Sequence, residues 1–209
     1  MSEPSILIQP ASWVERLRLE ELWLPGGQAA RAPIEVELGA GDGSFLVAWA
    51  AKQPSHNFLG VERLLGRARK VERKIRRANL ANVRLLRIEA RYFLEYLLAP
   101  SSIMALHIYF PDPWPKRKHW RHRLINDQFA DVAAKVVQPG GIVYLRTDDA
   151  NYFAQMSDVF GRNASFEPAE TPAELQSVLT DFESEFQARG VGALRAAYRR
   201  RQDPSASGD

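Results

Sequence analysis

Short apolar runs alternate with longer amphipathic segments from residue 33 onward, and this alternation constrains the fold more than any other feature of the chain. Short runs rich in Val, Ile and Leu predict strands, whereas apolar residues at helical spacing over longer segments predict helices. The predicted strands are residues 34–38, 58–61, 83–88, 104–110 and 142–146, with a last strand at 193–198. The predicted helices are residues 44–52, 64–78, 92–98, 121–137 and 151–160, with a further helix at 179–188.

Five successive strand–helix units indicate the α/β class, with a mostly parallel, doubly wound sheet. Such sheets bind ligands at the carboxyl ends of their strands. The 209 residues suit one domain at about 150 residues per domain, and we expect residues 33–201 to form it. Residues 1–32 are expected to form an arm with a short helix, because Ser12-Trp-Val-Glu15 is a capping-box pattern. The polar residues 202–209 are expected to form a disordered tail.

The composition excludes several functional classes. The chain contains no cysteine, which rules out disulfides, thiolate zinc sites and cysteine nucleophiles and suits a reducing cytoplasm. No apolar stretch approaches the roughly 18 residues of a membrane span, and we expect no signal peptide. We therefore expect a cytoplasmic protein that does not enter a membrane.

The formal net charge of +3 conceals two unlike regions. Residues 63–123 contain 16 Lys and Arg against four acidic residues, a local charge of +12. The rest of the chain has 12 basic and 21 acidic residues, or −9. Lys and Arg gain from counterion release when they meet phosphates, so this asymmetry indicates a surface for a nucleic acid.

A glycine-rich loop, Glu37-Leu-Gly39-Ala-Gly41-Asp-Gly43, joins the first predicted strand to the first predicted helix. Glycines there allow a tight turn and a close approach of the backbone to a ligand. The spacing differs from the Gly-x-Gly-x-x-Gly pattern of dinucleotide-binding loops, and Glu37 would repel a pyrophosphate. The ammonium group of S-adenosylmethionine would instead be attracted to Glu37, so the loop favours this cofactor.

Two further carboxylates end the next predicted strands. Glu62 follows the second strand, where a carboxylate can accept both ribose hydroxyls, and Glu89 follows the third, near an adenine amino group. Together with Glu37, three successive strands end in or beside acids. This arrangement suits a cationic nucleoside cofactor better than an anionic dinucleotide.

The loop at residues 110–119, Phe-Pro-Asp-Pro-Trp-Pro-Lys-Arg-Lys-His, is the most informative segment. Its alternating prolines predict a stiff loop in which Phe110, Asp112 and Trp114, each before a proline, are extended. The loop would fix one carboxylate and one indole at the ligand edge of the sheet, directly before a basic run. A purine attached to a phosphate backbone would need such a combination.

These motifs resemble those of the bacterial tRNA (guanine-N7)-methyltransferases, over residues 34–198. The resemblance rests on five motifs in this order: Glu37-x-Gly39-x-Gly41-x-Gly43, Leu59-Gly60-Val61-Glu62, Phe110-Pro-Asp-Pro-Trp-Pro-Lys116, Thr147-Asp148 and Thr180-Asp-Phe-Glu183. The Asp-Pro-Trp block with its basic residues is the most specific, whereas the glycine loop alone is typical of any class I methyltransferase. The family usually has Asp or Asn where this chain has Glu89.

The resemblance implies a Rossmann-like class I fold with an antiparallel last strand, and methyl transfer from S-adenosylmethionine to N7 of guanine 46 in the tRNA variable loop. Asp112 would be the catalytic residue, and the tRNA would be the partner. The implied cofactor-binding residues are Glu37, Gly39, Gly41, Glu62, Glu89 and Asp112. The implied substrate-binding residues are Lys116, Asp148, Thr180, Asp181, Phe182 and Glu183, and the implied RNA-binding residues are Lys118, Arg121 and Arg123.

Several alternatives remain open at this stage. A related methyltransferase could act on an exocyclic amine of another nucleic acid, and a non-catalytic RNA-binding domain would explain the basic run but not the strand-end acids. A nicotinamide oxidoreductase is disfavoured by the glycine spacing. We expect no metal site, because His119 and His122 are the only close histidine pair and suit RNA or solvent better. The sequence leaves the oligomeric state open.

Overall fold

An eight-stranded sheet forms the core of the protein, as seen in a computed structural model that describes residues 5–23, 32–187, 190 and 192–202. The strands are β1 (Leu7–Ile8), β2 (Ile34–Leu38), β3 (Asn57–Val61), β4 (Val83–Leu86), β5 (Ile103–Tyr109), β6 (Val137–Thr147), β7 (Phe166–Ala169) and β8 (Leu194–Arg200). Their order in the sheet is β1-β4-β3-β2-β5-β6-β8-β7. The first six strands are parallel, and β8 is antiparallel to both β6 and β7. The expected antiparallel last strand is therefore confirmed.

Helices connect the strands and cover both faces of the sheet. They are α1 (Ser44–Lys52), α2 (Leu65–Arg77), α3 (Ala90–Tyr92), α4 (Asp127–Val136), α5 (Ala150–Arg162), α6 (Ala173–Ser177) and α7 (Asp181–Gln187). A π-helical turn at Phe93–Leu97 continues α3, and 3-10 turns form at Leu19–Glu21 and Arg117–His122. Within the described residues, no helix combines the length and hydrophobicity that crossing a membrane would require.

Strand β5 shows why two helical layers are needed. Its Leu106 and Ile108 belong to the apolar core beneath α4 and α5, whereas Ala105 and Tyr109 belong to the core beneath α1 and α2. Successive side chains of a strand point to opposite faces, so a strand that is apolar at nearly every position must be covered on both. The doubly wound architecture predicted from the sequence is confirmed.

The parallel register brings the ends of the central strands to one edge. Leu38 at the end of β2 pairs with Val61 of β3 and with Ile108 of β5, and Tyr109 pairs with Arg146 of β6. The residues that follow these strands therefore lie side by side. We call this edge the ligand edge, and it contains the predicted functional segments.

The first corrections concern the N-terminal arm. Residues 7 and 8 form β1, which pairs with β4 in parallel, so the sheet extends into a segment that we expected to lie outside the domain. The Ser12 hydroxyl accepts hydrogen bonds from the amides of Val14 and Glu15, as in a helix cap, yet no helix follows it. The chain bends instead into the 3-10 turn. The prediction for residues 1–4 and 24–31 lies outside the described residues.

The other differences concern boundaries. The helix predicted from residue 121 begins at Asp127, because Asn126 caps it with its side chain. Strand β6 begins at Val137 rather than at residue 142, and its pairing with β5 has an irregularity between the pairs Ile103/Val137 and Ala105/Ile142. Strand β7 and helix α6 were missed, and the helix predicted at 179–188 is α7, which begins at Asp181. Residues 188–189 and the tail from 203 lie outside the described residues.

Candidate functional site

The glycine-rich loop crosses from β2 to α1 at the ligand edge. Gly39, Gly41 and Gly43 have φ of +76°, +58° and +81°, a conformation that favours glycine. The amides of Gly39 and Ala40 donate to the carbonyl of Val61, at 2.8 and 3.0 Å. The loop is therefore held across the end of β3, with Gly39 exposed at the ligand edge.

Glu37 is the most unusual side chain of the site. It is buried one residue before the end of β2, and its Oε2 atom has no hydrogen-bond partner among the described residues. Burial raises its pKa to about 8, an effect that the positive charge of Arg146 opposes and the charges of Asp42 and Glu62 reinforce. A buried carboxylate with an unpaired oxygen costs stability unless a donor completes it. The geometry thus fits a cationic ligand group at this position.

The two other strand-end acids differ from each other. Glu62 is buried, and its two carboxylate oxygens accept from the amides of Gly41 at 3.0 Å and Leu64 at 2.7 Å. It therefore joins the glycine loop to the start of α2. Glu89 is exposed and caps α3, accepting from the amides of Arg91 and Tyr92. Carboxylate oxygens accept more than one hydrogen bond, so both groups can still meet a ligand.

The loop after β5 has a strained backbone on both sides of Asp112. Phe110 and Trp114 have φ of +50° and +46°, so the prediction that these residues before proline are extended is wrong. Positive φ in bulky residues persists only where the surroundings impose it, and it occurs often at functional sites. Asp112 itself is exposed, and no hydrogen bond or ion pair within the described residues holds its carboxylate.

Arg123 anchors this loop. Its guanidinium group donates to the carbonyl of Pro113 at 2.7 Å, to Gln155 Oε1 at 2.7 Å and to Asn151 Oδ1 at 2.9 Å. It also lies between the rings of Trp120 and Tyr152 and is 3% exposed. The structure therefore contradicts the prediction that Arg123 contacts RNA, since each of its three guanidinium nitrogens donates a hydrogen bond to the protein.

The remaining predicted RNA and nucleotide contacts after β5 and β6 are exposed. Lys116 precedes the 3-10 turn that contains Lys118 and Arg121, and all three side chains lie on the surface. Asp148 is exposed directly after β6, next to the end of β5. These four residues surround the same edge as Asp112.

The Thr180–Glu183 tetrapeptide divides into two pairs. Thr180 and Glu183 form a reciprocal capping box at the start of α7, in which each side chain accepts from the other residue's amide, at 3.1 and 2.9 Å. Both are buried and hold the start of α7, and their contact with the nucleotide stays a prediction. Asp181 and Phe182 are exposed, and the Phe182 ring lies 6.0 Å from that of Phe110.

Arg146, which the sequence analysis did not single out, holds this segment against the sheet. It is 1% exposed and donates to the carbonyls of Leu175 and Val178, each at 2.7 Å, and to Glu183 at 2.8 Å. Burial alone would raise the pKa of Glu183, but the Thr180 amide and the guanidinium groups of Arg146 and Arg195 together lower it. Arg146 thus joins the segment to the Glu37 side of the site.

A second junction joins the tetrapeptide to the glycine loop. Lys74 of α2 forms an ion pair with Asp42, donates to the Ser44 hydroxyl at 2.8 Å and lies 3.9 Å from Asp181. The Ser44 hydroxyl also contacts Asp181. The pKa of Asp181 is raised chiefly by its interaction with Asp42. The segments predicted for cofactor and for substrate are therefore in direct contact.

The alternation of polar and apolar residues in two strands could have indicated further buried polar residues that the sequence predictions missed. Glu35 and Glu37 alternate with apolar residues in β2, and His107 and Tyr109 do so in β5. Polar residues in phase within a fully buried strand indicate a polar network on one face. Glu35 indeed accepts from Trp49 at 2.9 Å and lies 2.7 Å from His107 Nε2.

A sequence family described as "Putative methyltransferase" matches residues 31–196. A tRNA (guanine-N(7)-)-methyltransferase from Syntrophotalea carbinolica is 39% identical, over 65% of this chain and 60% of its own length. One from Treponema pallidum is 36% identical over 77% and 64%. The matched segment thus spans less than two thirds of these two relatives. One from Alkalilimnicola ehrlichii is 30% identical over 95% of this chain and 86% of its own length.

Solved methyltransferase structures share the fold. The 16S rRNA methyltransferase KamB superposes with a TM-score of 0.61 at 15% identity, covering 84% of this chain and 91% of its own. The geranyl diphosphate C-methyltransferase from Streptomyces coelicolor A3(2), solved with S-adenosyl-L-homocysteine, has a TM-score of 0.55 at 14% identity over 80% and 71%. At these identities the similarity establishes the Rossmann-like class I methyltransferase architecture.

Proposed function

The chain belongs to the tRNA (guanine-N7)-methyltransferase family, and on that premise we propose that it transfers a methyl group from S-adenosylmethionine to N7 of a guanine in tRNA. We further propose that the target is guanine 46 of the variable loop. The observation that carries the proposal is the convergence, at one edge of the sheet, of the buried Glu37 with the strained loop that presents Asp112. A tRNA substrate implies that the protein works in the cytoplasm.

The residues of the ligand edge fit S-adenosylmethionine. The unpaired Oε2 of Glu37 suits the cofactor's ammonium group, and Gly39 and Gly41 allow its close approach to the backbone. We assign Glu62 to the ribose hydroxyls and Glu89 to the adenine amine. The Glu89 assignment requires the carboxylate to keep its two bonds to the start of α3 while it accepts a third.

The chemistry requires little proton transfer. The cofactor supplies a methyl group on a sulfonium centre, and guanine N7 carries an in-plane lone pair that needs no base. The methylated purine becomes cationic, so the barrier falls when the base is aligned and when negative charge lies near it. We assign the negative charge to Asp112, which the strained loop holds at the ligand edge. In this scheme Asp112 orients the base and stabilises positive charge without accepting a proton.

The nucleotide would contact the exposed groups around Asp112. Asp148 and Asp181 provide acceptors for the exocyclic amino group and the N1–H group of the guanine, and the Phe182 ring provides an apolar surface beside Phe110. Lys116, Lys118 and Arg121 would bind phosphates on the side of the 3-10 turn. The side chains of Thr180, Glu183 and Arg123 hold the exposed ones in place.

Transfer of labelled methyl groups to tRNA tests the proposal. The protein is incubated with labelled S-adenosylmethionine and tRNA that lacks the modification, and the product is digested to nucleosides. Label in 7-methylguanosine, mapped to position 46, supports it. Label in an N-methylated exocyclic amine would show that the reaction differs, and binding of tRNA without any transfer would indicate an RNA-binding domain.

Cofactor binding should release a proton from Glu37. With a pKa of about 8, the buried carboxyl is mostly protonated at pH 7, and a bound ammonium group would favour the carboxylate. Close to one proton is expected to leave Glu37 at pH 7, and progressively less as the pH rises through 8. Titration calorimetry of cofactor binding in two buffers of different ionisation enthalpy measures the number of protons released.

The control for that prediction is Glu37→Gln, which cannot ionise. It should lose the proton release and bind the cofactor about 10- to 100-fold more weakly, as expected for loss of a hydrogen bond to a charged group. Because the folded pKa lies above the usual value of 4.5, the contribution of Glu37 to the stability of the ligand-free protein falls as the pH rises from 4.5 to 8. The stability of the variant should lack this decline. Equal proton release by both proteins would refute the assignment.

A further inference from the structure

Helix α2 carries a dense positive charge, and apart from Lys74, which pairs with Asp42, the proposed site does not use it. Seven of its thirteen residues are basic and one, Glu72, is acidic. Its inward side consists of Ala68, Val71 and Ile75, all fully buried in the core shared with α1. These three side chains hold the helix on the sheet, and the charged residues are not needed for that packing.

The outward side of α2 is a row of arginines. At 3.6 residues per turn, Arg69, Arg73 and Arg77 follow one another at intervals of four residues, opposite the buried side chains, and all three are exposed. Lys70 is exposed beside this row. We call these four residues the α2 row.

Nothing in the described part of the chain neutralises the row. Arg76 pairs with Glu72 at 2.9 Å, and Lys74 pairs with Asp42, but no carboxylate lies within ion-pair distance of the α2 row among the described residues. Like charges four residues apart destabilise a helix by roughly 0.2–0.5 kcal/mol per pair. The row contains two such pairs, so its charges destabilise the helix. Binding of a polyanion would account for their presence.

The row lies beside the proposed catalytic site. Helix α2 begins three residues after Glu62, so its first turn is at the ligand edge and its length of about 20 Å leads away from it. The 3-10 turn with Lys118 and Arg121 follows β5, on the other side of β2. The proposed cofactor position thus lies between two basic surfaces. A polyanion that reaches the site from either side can touch both.

We propose that the α2 row is a second phosphate-binding surface for tRNA, which holds the RNA backbone while the guanine occupies the site. This inference rests on the proposed function. The partner is RNA rather than lipid, because the row presents charge without large apolar side chains. The nearby exposed Leu64 and Leu65 stand at the ligand edge instead.

Replacing the arginines of the row tests the inference. The triple variant Arg69→Gln, Arg73→Gln, Arg77→Gln keeps good helix formers and removes three charges. We expect tRNA to bind about 10- to 100-fold more weakly at 0.1 M salt, with the slope of log K against log salt smaller by roughly 2 to 3. Turnover at saturating tRNA and affinity for S-adenosylhomocysteine should not change. Thermal stability should be equal or slightly higher, because repulsion is removed.

A matched triple variant controls for net charge. Arg162→Gln, Arg199→Gln, Arg201→Gln removes three charges from exposed positions, and Arg199 pairs with Ile142 in the middle of β6, away from the ligand edge. It should weaken tRNA binding less than about threefold, since distant exposed charges are screened.

The outcomes separate the two proposals. If the wild type methylates tRNA and both triple variants bind it equally well, only the inference about the α2 row is overturned. It is also overturned if the row variant loses binding to phosphatidylserine vesicles while tRNA binding is unchanged. If the wild type neither binds nor methylates tRNA, the proposed function itself fails, and the inference fails with it.

Discussion

Asp112→Asn is expected to lose about 10²- to 10³-fold in the rate of methyl transfer, the effect of removing one preorganised electrostatic group from an active site. The amide keeps the shape of the side chain but removes the negative charge next to the forming purine cation. The ligand edge contains other acids, but Glu37 and Glu62 are buried, and we assign Asp148 and Asp181 to hydrogen bonds with the guanine. None of these acids belongs to the loop after β5, so none of them replaces the charge of Asp112.

The same substitution should leave the fold and the cofactor site almost unchanged. Asp112 is exposed and forms no hydrogen bond within the described residues, so the stability should change by less than about 0.5 kcal/mol. Single-turnover rates with tRNA in excess, together with the affinity for S-adenosylhomocysteine, separate chemistry from binding. Asp158→Asn on α5 also removes an exposed charge, but away from the edge, and it should retain full activity. Turnover of Asp112→Asn within threefold of the wild type would disprove the role of Asp112.

The strand–helix alternation was sufficient to predict the central sheet. Strand β2 and helix α1 occur at the predicted positions, because their apolar periods are unambiguous and Gly43 ends the loop between them. Strand β1 could not be predicted, since two residues contain no period and their pairing with β4 depends on partners almost 80 residues away. Helix α4 was predicted too early because the Asn126 cap follows residues that are themselves compatible with a helix.

The site was predictable where a motif dictates local geometry. The glycines of the loop and the acids at the strand ends lie at the ligand edge because the parallel register places them there. The Thr180-x-x-Glu183 spacing is also a capping-box pattern, so the sequence could have indicated that these two residues cap a helix. The engagement of Glu183 with Arg146 could not be read, because it joins residues 37 positions apart.

The loop after β5 shows the limit of local rules. Residues before proline favour extended conformations, yet Phe110 and Trp114 adopt positive φ. Local preferences of this kind amount to about 1–3 kcal/mol per residue, and tertiary contacts can exceed them. One tertiary contact of this loop is the hydrogen bond from Arg123 to the carbonyl of Pro113, the residue between Asp112 and Trp114. Arg123, a charged residue in a basic run, was thus predicted to bind RNA, whereas in the structure it holds the loop after β5.

Arg123→Met is therefore expected to reduce turnover about 100-fold although the side chain never touches the substrate, because a shift of about 1 Å in a reacting group can have this effect. Loss of the guanidinium group releases the Pro113 carbonyl and leaves Gln155 and Asn151 without their partner. The strained backbone of the loop after β5 can then relax, and Asp112 moves with the loop. Affinity for S-adenosylhomocysteine should remain within about threefold, since the glycine loop and Glu37 lie on other elements.

A general loss of stability could mimic this effect, and Arg84→Met controls for it. Arg84 is equally buried and donates to three carbonyls, those of Leu22, Ala81 and Val83, but it lies in β4, away from the loop after β5. Each variant should lose about 1–3 kcal/mol of stability for the polar groups left unsatisfied. Only Arg123→Met should lose turnover when both are assayed well below their melting temperatures. If the two variants lose turnover equally, Arg123 is a structural residue and does not position Asp112. If Arg123→Met alone loses turnover, Arg123 is a positioning residue for Asp112, and it differs in role from the exposed Lys116, Lys118 and Arg121 that we propose to meet RNA.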